Sequence, residues 1–174
     1  MALEDDHRDL YLSEDQLDAL GHYAGDEIHD MVNDHLRHAG VVTGADARLA
    51  EEYVRLLDRA FQAAPGLEQP CKVYRGVADR QFLLALSKGG SIDPGYLSTS
   101  IDKERSRSFA DQGAVLELLV PEHTPMLAVH ELVDVLPYAG EEEILLPRNG
   151  ICEIKDVSQE DGLPLLQATY FLGI

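Results

Sequence analysis

The periodicity of apolar residues changes at Pro70, and that change limits the folds open to the chain. Before it, apolar residues recur at helical spacing. Ser13 followed by Gln16 reads as a capping box, opening a helix toward Gly21 or Ala24. Ile28, Met31, Val32, His35 and Leu36 share one face of a second helix that ends near Gly40. Leu49, Tyr53, Leu56, Leu57 and Ala60 repeat the pattern in a third, which stops before Pro65-Gly66.

After Pro70 the apolar runs shorten to strand length. Cys71–Val77, Gly95–Ser100, Ala114–Val120, Met126–Val129, Glu142–Pro147, Ile151–Val157 and Leu165–Leu172 are the expected strands. Helical turns are expected at Asp79–Ser87 and Lys103–Ala110. Helices first and strands afterwards predict an α+β fold. With 174 residues and no repeat or Pro/Ser linker, 1–174 reads as a single domain.

The formal charge is −18, which argues against a nucleic-acid backbone or an anionic membrane as partner. It does not signal disorder, because 45% of the residues are hydrophobic and periodically placed. No apolar run approaches the ~20 residues of a membrane span. The acidic N-terminus, MALEDDHRDL, has no apolar stretch behind it. The expected location is cytoplasmic, or a target cell reached by a route that needs no N-terminal signal. Cys71 and Cys152 are too few for a disulfide framework and read as buried, inert thiols. His35 and His38 lack the neighbours a metal site needs.

Three segments carry chemistry. Val73-Tyr74-Arg75-Gly76 sets an arginine inside an apolar strand, where a guanidinium can grip a phosphate and Gly76 allows close approach. Gly95-Tyr96-Leu97-Ser98-Thr99-Ser100 alternates polar and apolar residues and turns a hydroxyl to a site. Tyr138 to Pro147 runs Glu141-Glu142-Glu143 into an apolar strand, and strict alternation would put Glu141 and Glu143 on one face. Paired carboxylates suit a reaction through an oxocarbenium-like centre. Each segment alone also fits an ordinary surface strand.

In this order and spacing the segments resemble the Arg–Ser–Glu class of mono-ADP-ribosyltransferases. That class includes the enzymatic components of clostridial binary toxins, related bacterial and phage enzymes, and vertebrate arginine-specific ecto-enzymes. The pattern is an aromatic-Arg strand (Tyr74-Arg75), a Ser-Thr-Ser strand (Ser98-Thr99-Ser100) and a Glu-x-Glu start to an Ile/Val-Leu run (Glu141 to Leu145). Asn33-Asp34-His35-Leu36-Arg37 is similar to the class's Asn-x-x-Leu-Arg helix, and the likeness spans roughly residues 20 to 172.

The resemblance implies a mixed β core of two packed sheets around an NAD cleft. It implies NAD as co-substrate, no metal, and ADP-ribose transfer to an arginine of a target protein with release of nicotinamide. Arg75 would bind the pyrophosphate, with Asn33, Tyr74, Gly76 and Thr99 also on the NAD. Phe109 would stack on nicotinamide, and Ser98 would orient Glu143. Glu143 would stabilise the developing ribosyl cation, Glu141 would engage the acceptor guanidinium, and Tyr138 would meet the target. A monomeric toxin or effector, bacterial or phage, is the implied setting.

The chain departs from the pattern at His29, Gly76 and Gln112, where relatives carry tyrosine, arginine and arginine. Arg80, Arg105 and Arg107 are the substitutes at hand for the phosphates. An NAD glycohydrolase on the same fold and a non-catalytic acidic binding or inhibitor protein remain open alternatives. Charge distribution bears on them. Residues 71–110 hold seven basic against four acidic residues, the one net-basic stretch, and it contains Arg75, Ser98 and Phe109. The stretch 111–174 holds twelve acidic against two basic.

Overall fold

The computed structural model describes residues 10–25, 28–78, 83–84, 92–133 and 142–173. Three helices come first: α1 (Glu14–Ala24), α2 (His29–Arg37) and α3 (Gly44–Ala63). The capping box is formed. Ser13 Oγ accepts from the Gln16 backbone N–H at 3.3 Å, and the Gln16 side chain accepts from the Ser13 N–H at 2.8 Å. Helix α3 begins five residues before the first apolar residue of its expected stripe, Leu49, because its first turn is exposed and has no core contact to reveal it.

The strands are β1 (Cys71–Val77), β2 (Ile92–Asp93), β3 (Leu97–Ser100), β4 (Ala114–Val120), β5 (Leu127–Ala128), β6 (Glu143–Leu146), β7 (Gly150–Glu160) and β8 (Leu163–Leu172). Helix α4 (Lys103–Ser108) follows β3, and the short α5 (Val129–Leu132) follows β5. The α+β expectation holds. The strands lie in the order β2-β7-β8-β4-β1-β3-β6-β5, with β4 and β8 parallel and the other pairs antiparallel. The groups β2-β7-β8-β4-β1 and β3-β6-β5 meet at one registered pair, Tyr74 opposite Ser100. The eight strands are one hydrogen-bonded sheet, and this narrow seam divides it into two smaller sheets of five and three strands.

Two apolar clusters fix this arrangement. One lies between the sheets, with Val73, Val77, Leu116, Leu118, Ile144, Leu146 and Tyr170 buried together. The other seals the helices against the second sheet and includes Leu20, Tyr23, Val32, Leu57, Tyr96 and Leu145. Each fully buried leucine contributes about 2 kcal/mol of transfer free energy. Ile144 and Leu146 face one cluster and Leu145 the other, so β6 is gripped on both sides. Its first residue, Glu143, is thereby held at the mouth of the seam. Among the described residues, no helix is long and apolar enough to cross a membrane.

Candidate active site

A cavity of about 340 Å³ opens at the seam. Its walls come from six elements. The end of α1 and α2 supply Tyr23, His29, Asn33 and Arg37; β1 supplies Tyr74, Arg75 and Gly76; β3 supplies Ser98, Thr99 and Ser100. Helix α4 and its cap supply Arg105, Ser106 and Phe109, and β6 supplies Glu143. Asn33, Tyr74, Arg75, Gly76, Ser98, Thr99, Phe109 and Glu143 thus line one cavity. Glu141 and Tyr138 lie outside the described residues, as does Arg80.

Arg75 alternates with Val73 and Val77 on the core-facing side of β1, which buries its stem. Its Nη1 donates to the Ser98 carbonyl at 2.7 Å. No carboxylate among the described residues pairs with it. Burial, and next the charge of nearby Arg37, hold its pKa below the usual guanidinium value. The charge of Asp93 offsets part of the burial cost, and an anion in the cavity would offset more.

Arg37 is held differently. It forms a fork with Asp93, Nε to Oδ1 at 2.8 Å and Nη2 to Oδ2 at 2.9 Å, and donates to the Tyr96 carbonyl at 3.1 Å. Burial opposes its charge, but the Asp93 bonds outweigh burial and keep its pKa raised. Asp93 Oδ1 also accepts from the Gly95 N–H. A Cβ on Gly95 would come within 2.7 Å of Arg37 Nε and Asn33 Oδ1, so only glycine lets this loop close on α2.

Asn33 is 6% exposed, and its amide is engaged at both ends. Nδ2 donates to the Tyr23 hydroxyl at 2.8 Å, and Oδ1 accepts from the Tyr96 N–H at 3.0 Å. It therefore fixes α1, α2 and the approach to β3 to one another. Tyr96 itself is fully buried, stacked on Phe61 at 5.8 Å, and its hydroxyl donates to Asp58 at 2.7 Å. Asp58 in turn accepts a fork from Arg148 just beyond β6. The strands bearing Ser98 and Glu143 are thus both tied to α3.

Antiparallel register sets Ser100 directly opposite Glu143 and Ser98 opposite Leu145, so Ser98 and Glu143 share a face on the diagonal. The Thr99 hydroxyl donates to the Ile144 carbonyl at 2.7 Å and is buried. His130 Nδ1 lies 3.3 Å from the Glu143 carbonyl oxygen. One expectation needs correction. Strand β6 starts at Glu143, and Glu142 has φ 45°, in the left-handed region. The expected strand start at Glu142 therefore moves to Glu143, and the face that Glu141 takes lies outside the described residues.

Gly76 has a packing reason for being glycine. A Cβ there would stand 2.0 Å from the Ser106 carbonyl oxygen and 2.6 Å from the Ala110 nitrogen. The end of α4 rests on the bare backbone of β1, and this seats Phe109, 59% exposed, at the cavity rim. An arginine at this position has no room. Arg105 lines the cavity. Arg107 does not: its Nη1 binds Asp161 at 2.6 Å and Glu104 at 3.2 Å, and its Nη2 donates to the Glu160 carbonyl at 3.0 Å. Of the two cysteines, Cys152 is buried and its thiol is pushed up to about 12, whereas Cys71 is only half-buried. Among the described residues, no group of three or more His, Cys, Asp or Glu could hold a metal ion.

Sequence reasoning left Tyr23, Asp93, Tyr96, Asp58 and Arg148 unassigned. The signal for two of them was present. Asp93-Pro94-Gly95-Tyr96 is a turn sequence directly before a strand, and turns of that kind carry side-chain locks.

The family model for the ADP-ribosyltransferase exoenzyme matches residues 4–169. Exoenzyme T of Pseudomonas aeruginosa is 33% identical over 114 residues, 65% of this chain, and the chain spans about a quarter (24%) of that curated relative's length. Two solved structures share the fold. The ADP-ribosyltransferase Vis of Vibrio splendidus, in complex with agmatine, superposes with a TM-score of 0.76 at 18% identity, covering 97% of this chain and 80% of that one. C3stau2 of S. aureus, solved with NAD, gives 0.75 at 19% identity, covering 98% and 92%. Both sequence and architecture therefore lead to one assignment: the chain belongs to the ADP-ribosyltransferase exoenzyme family.

Proposed function

We propose that the chain is a single mono-ADP-ribosyltransferase domain that moves ADP-ribose from NAD to an arginine side chain of a target protein, releasing nicotinamide. The observation that carries this reading is the convergence of Arg75, Ser98, Phe109 and Glu143, from four separated segments, on one cavity. Two relatives add support, since C3stau2 was solved with NAD and Vis with agmatine, a small guanidinium compound.

In this reading the NAD pyrophosphate pairs with Arg75, with Arg37 and Arg105 close by. Phe109 stacks on the nicotinamide ring. The bond between nicotinamide nitrogen and ribose C1′ breaks, and its electron pair neutralises the pyridinium charge of the leaving group. Positive charge then develops at C1′, and the Glu143 carboxylate stabilises it through a fixed, pre-aligned interaction. Ser98 and Ser100 orient Glu143 from the neighbouring strand. The acceptor guanidinium nitrogen attacks C1′, and Glu141 takes the proton that the new bond displaces. Asn33, Tyr74, Gly76 and Thr99 shape the cavity wall, and Tyr138 meets the target surface. The protein acts as a monomer inside a target cell, needs no metal, and requires neither nucleic acid nor membrane.

The test is incubation of the purified chain with labelled NAD and agmatine. The expected result is labelled ADP-ribosyl-agmatine and free nicotinamide. Label recovered only as free ADP-ribose, with agmatine and with cell extract alike, would favour an NAD glycohydrolase instead.

A further inference from the structure

Helix α4 has two working faces. Arg105 and Phe109, four apart, look into the cavity, while Lys103 and Arg107, also four apart, look away from it. The outward pair meets the tip of the β7–β8 hairpin. Lys103 Nζ lies 2.5 Å from Glu160 Oε2, and Arg107 grips Asp161 and the Glu160 carbonyl. Lys103 also sits over the Tyr74 ring at 5.9 Å.

This contact is long-range and lies outside the cavity. Asp161 is more than fifty residues from α4, and it turns the hairpin with φ 48°, followed by Gly162 at φ 85°. A helix of six residues has little stability of its own. Three things seat it: the Asp102 N-cap, the bare backbone of Gly76, and the hairpin tip. The first two fix its start and its height above β1. The third restrains its rotation, which sets where Phe109 and Arg105 point.

We propose that the β7–β8 hairpin tip, Glu160 and Asp161, is a positioning element for the nicotinamide side of the cavity, acting through Lys103 and Arg107 on α4. The proposal rests on the reading that this cavity takes NAD. Arg107, which sequence placed among the phosphate-binding substitutes, is here a positioning residue.

Steady-state kinetics of NAD turnover test it on the full chain, alongside backbone amide exchange over residues 103–110. The main variant is Asp161→Asn, because asparagine tolerates the left-handed backbone and loses only the charge. Asp161→Asn and Arg107→Met are expected to raise KM for NAD roughly fivefold with kcat within about twofold of wild type. Arg107→Lys retains most of the wild-type KM. Amide exchange over 103–110 accelerates in Asp161→Asn while β1 and β4 keep their protection. An unchanged KM in Asp161→Asn, or a fall in kcat and melting temperature without a KM effect, overturns the proposal. A wild-type chain with no NAD turnover overturns the reading of the cavity instead. The exchange measurement then decides the clamp alone, and unchanged exchange in Asp161→Asn overturns it.

Discussion

Arg75 Nη1 and the Ser98 carbonyl oxygen lie 2.7 Å apart. This one bond crosses the seam between the two sheets and ties the arginine strand to the serine strand. Among the described residues it engages a single N–H of the guanidinium, and the rest of the fork is on the side of the cavity. Lysine at this position keeps a positive charge but loses the planar fork. Arg75→Lys is expected to raise KM for NAD by roughly tenfold while the chain still folds. Kinetics alongside circular dichroism check both halves.

Gly76 bears directly on where Phe109 sits. Gly76→Ala brings a methyl group against the Ser106 carbonyl and the Ala110 nitrogen, both backbone atoms that cannot swing aside. Overpacking of this kind costs ~1–3 kcal/mol. Thermal denaturation should show that loss, and NAD affinity should fall as well, because α4 must lift away from β1. A substitution that lowered neither would show that α4 does not rest on β1 as described.

Alkaline pH should unfold the chain through groups that are kept neutral. Burial pushes both the Tyr23 hydroxyl and the Cys152 thiol up to about 12. Tyr96 and Tyr170 are also raised, by burial first, then by Asp58 beside Tyr96 and Cys152 near Tyr170. Each is an acid whose pKa is higher in the folded than in the unfolded chain. Above about 9 the unfolded chain gives up these protons first, so stability is full below that pH and falls as pH rises toward 12. Tyrosinate absorbance followed with circular dichroism checks this. The last tyrosines should ionise only as secondary structure is lost. Titration of all seven tyrosines with the fold intact would contradict it.

Much of the fold was legible because it is local. The bounds of β1 and β4 follow from their apolar runs, and the Ser13–Gln16 box marks the start of α1. The end of β7 was not legible, since Ser158 and Gln159 are exposed and Glu160 half-buried, with no apolar signal among them. Nor was the parallel pairing of β4 with β8, which no local pattern encodes. The site followed the same division. Arg75, Ser98, Phe109 and Glu143 were readable from ordered motifs. The Arg37–Asp93 fork, the Asn33–Tyr96 bond and the destination of Arg107 join residues about fifty or more positions apart, and only the folded chain brings them together.

Glu141 separates transfer from hydrolysis in this account. Water needs no carboxylate to orient it as a guanidinium does. Glu141→Gln is expected to lose transfer to agmatine while keeping measurable NAD hydrolysis. Products resolved as ADP-ribosyl-agmatine and free ADP-ribose give both rates in one experiment. Equal loss of the two would place Glu141 in bond cleavage and not in acceptor handling.

Glu143 at the mouth of the seam is the group on which the account depends most. The direct measurement is release of nicotinamide from NAD by wild type and by Glu143→Gln, with transfer to agmatine recorded in the same samples. Loss of both activities in a variant that still folds and still binds NAD is the expected result. Near-wild-type transfer by Glu143→Gln would contradict the assignment of this cavity as the place where the nicotinamide–ribose bond breaks.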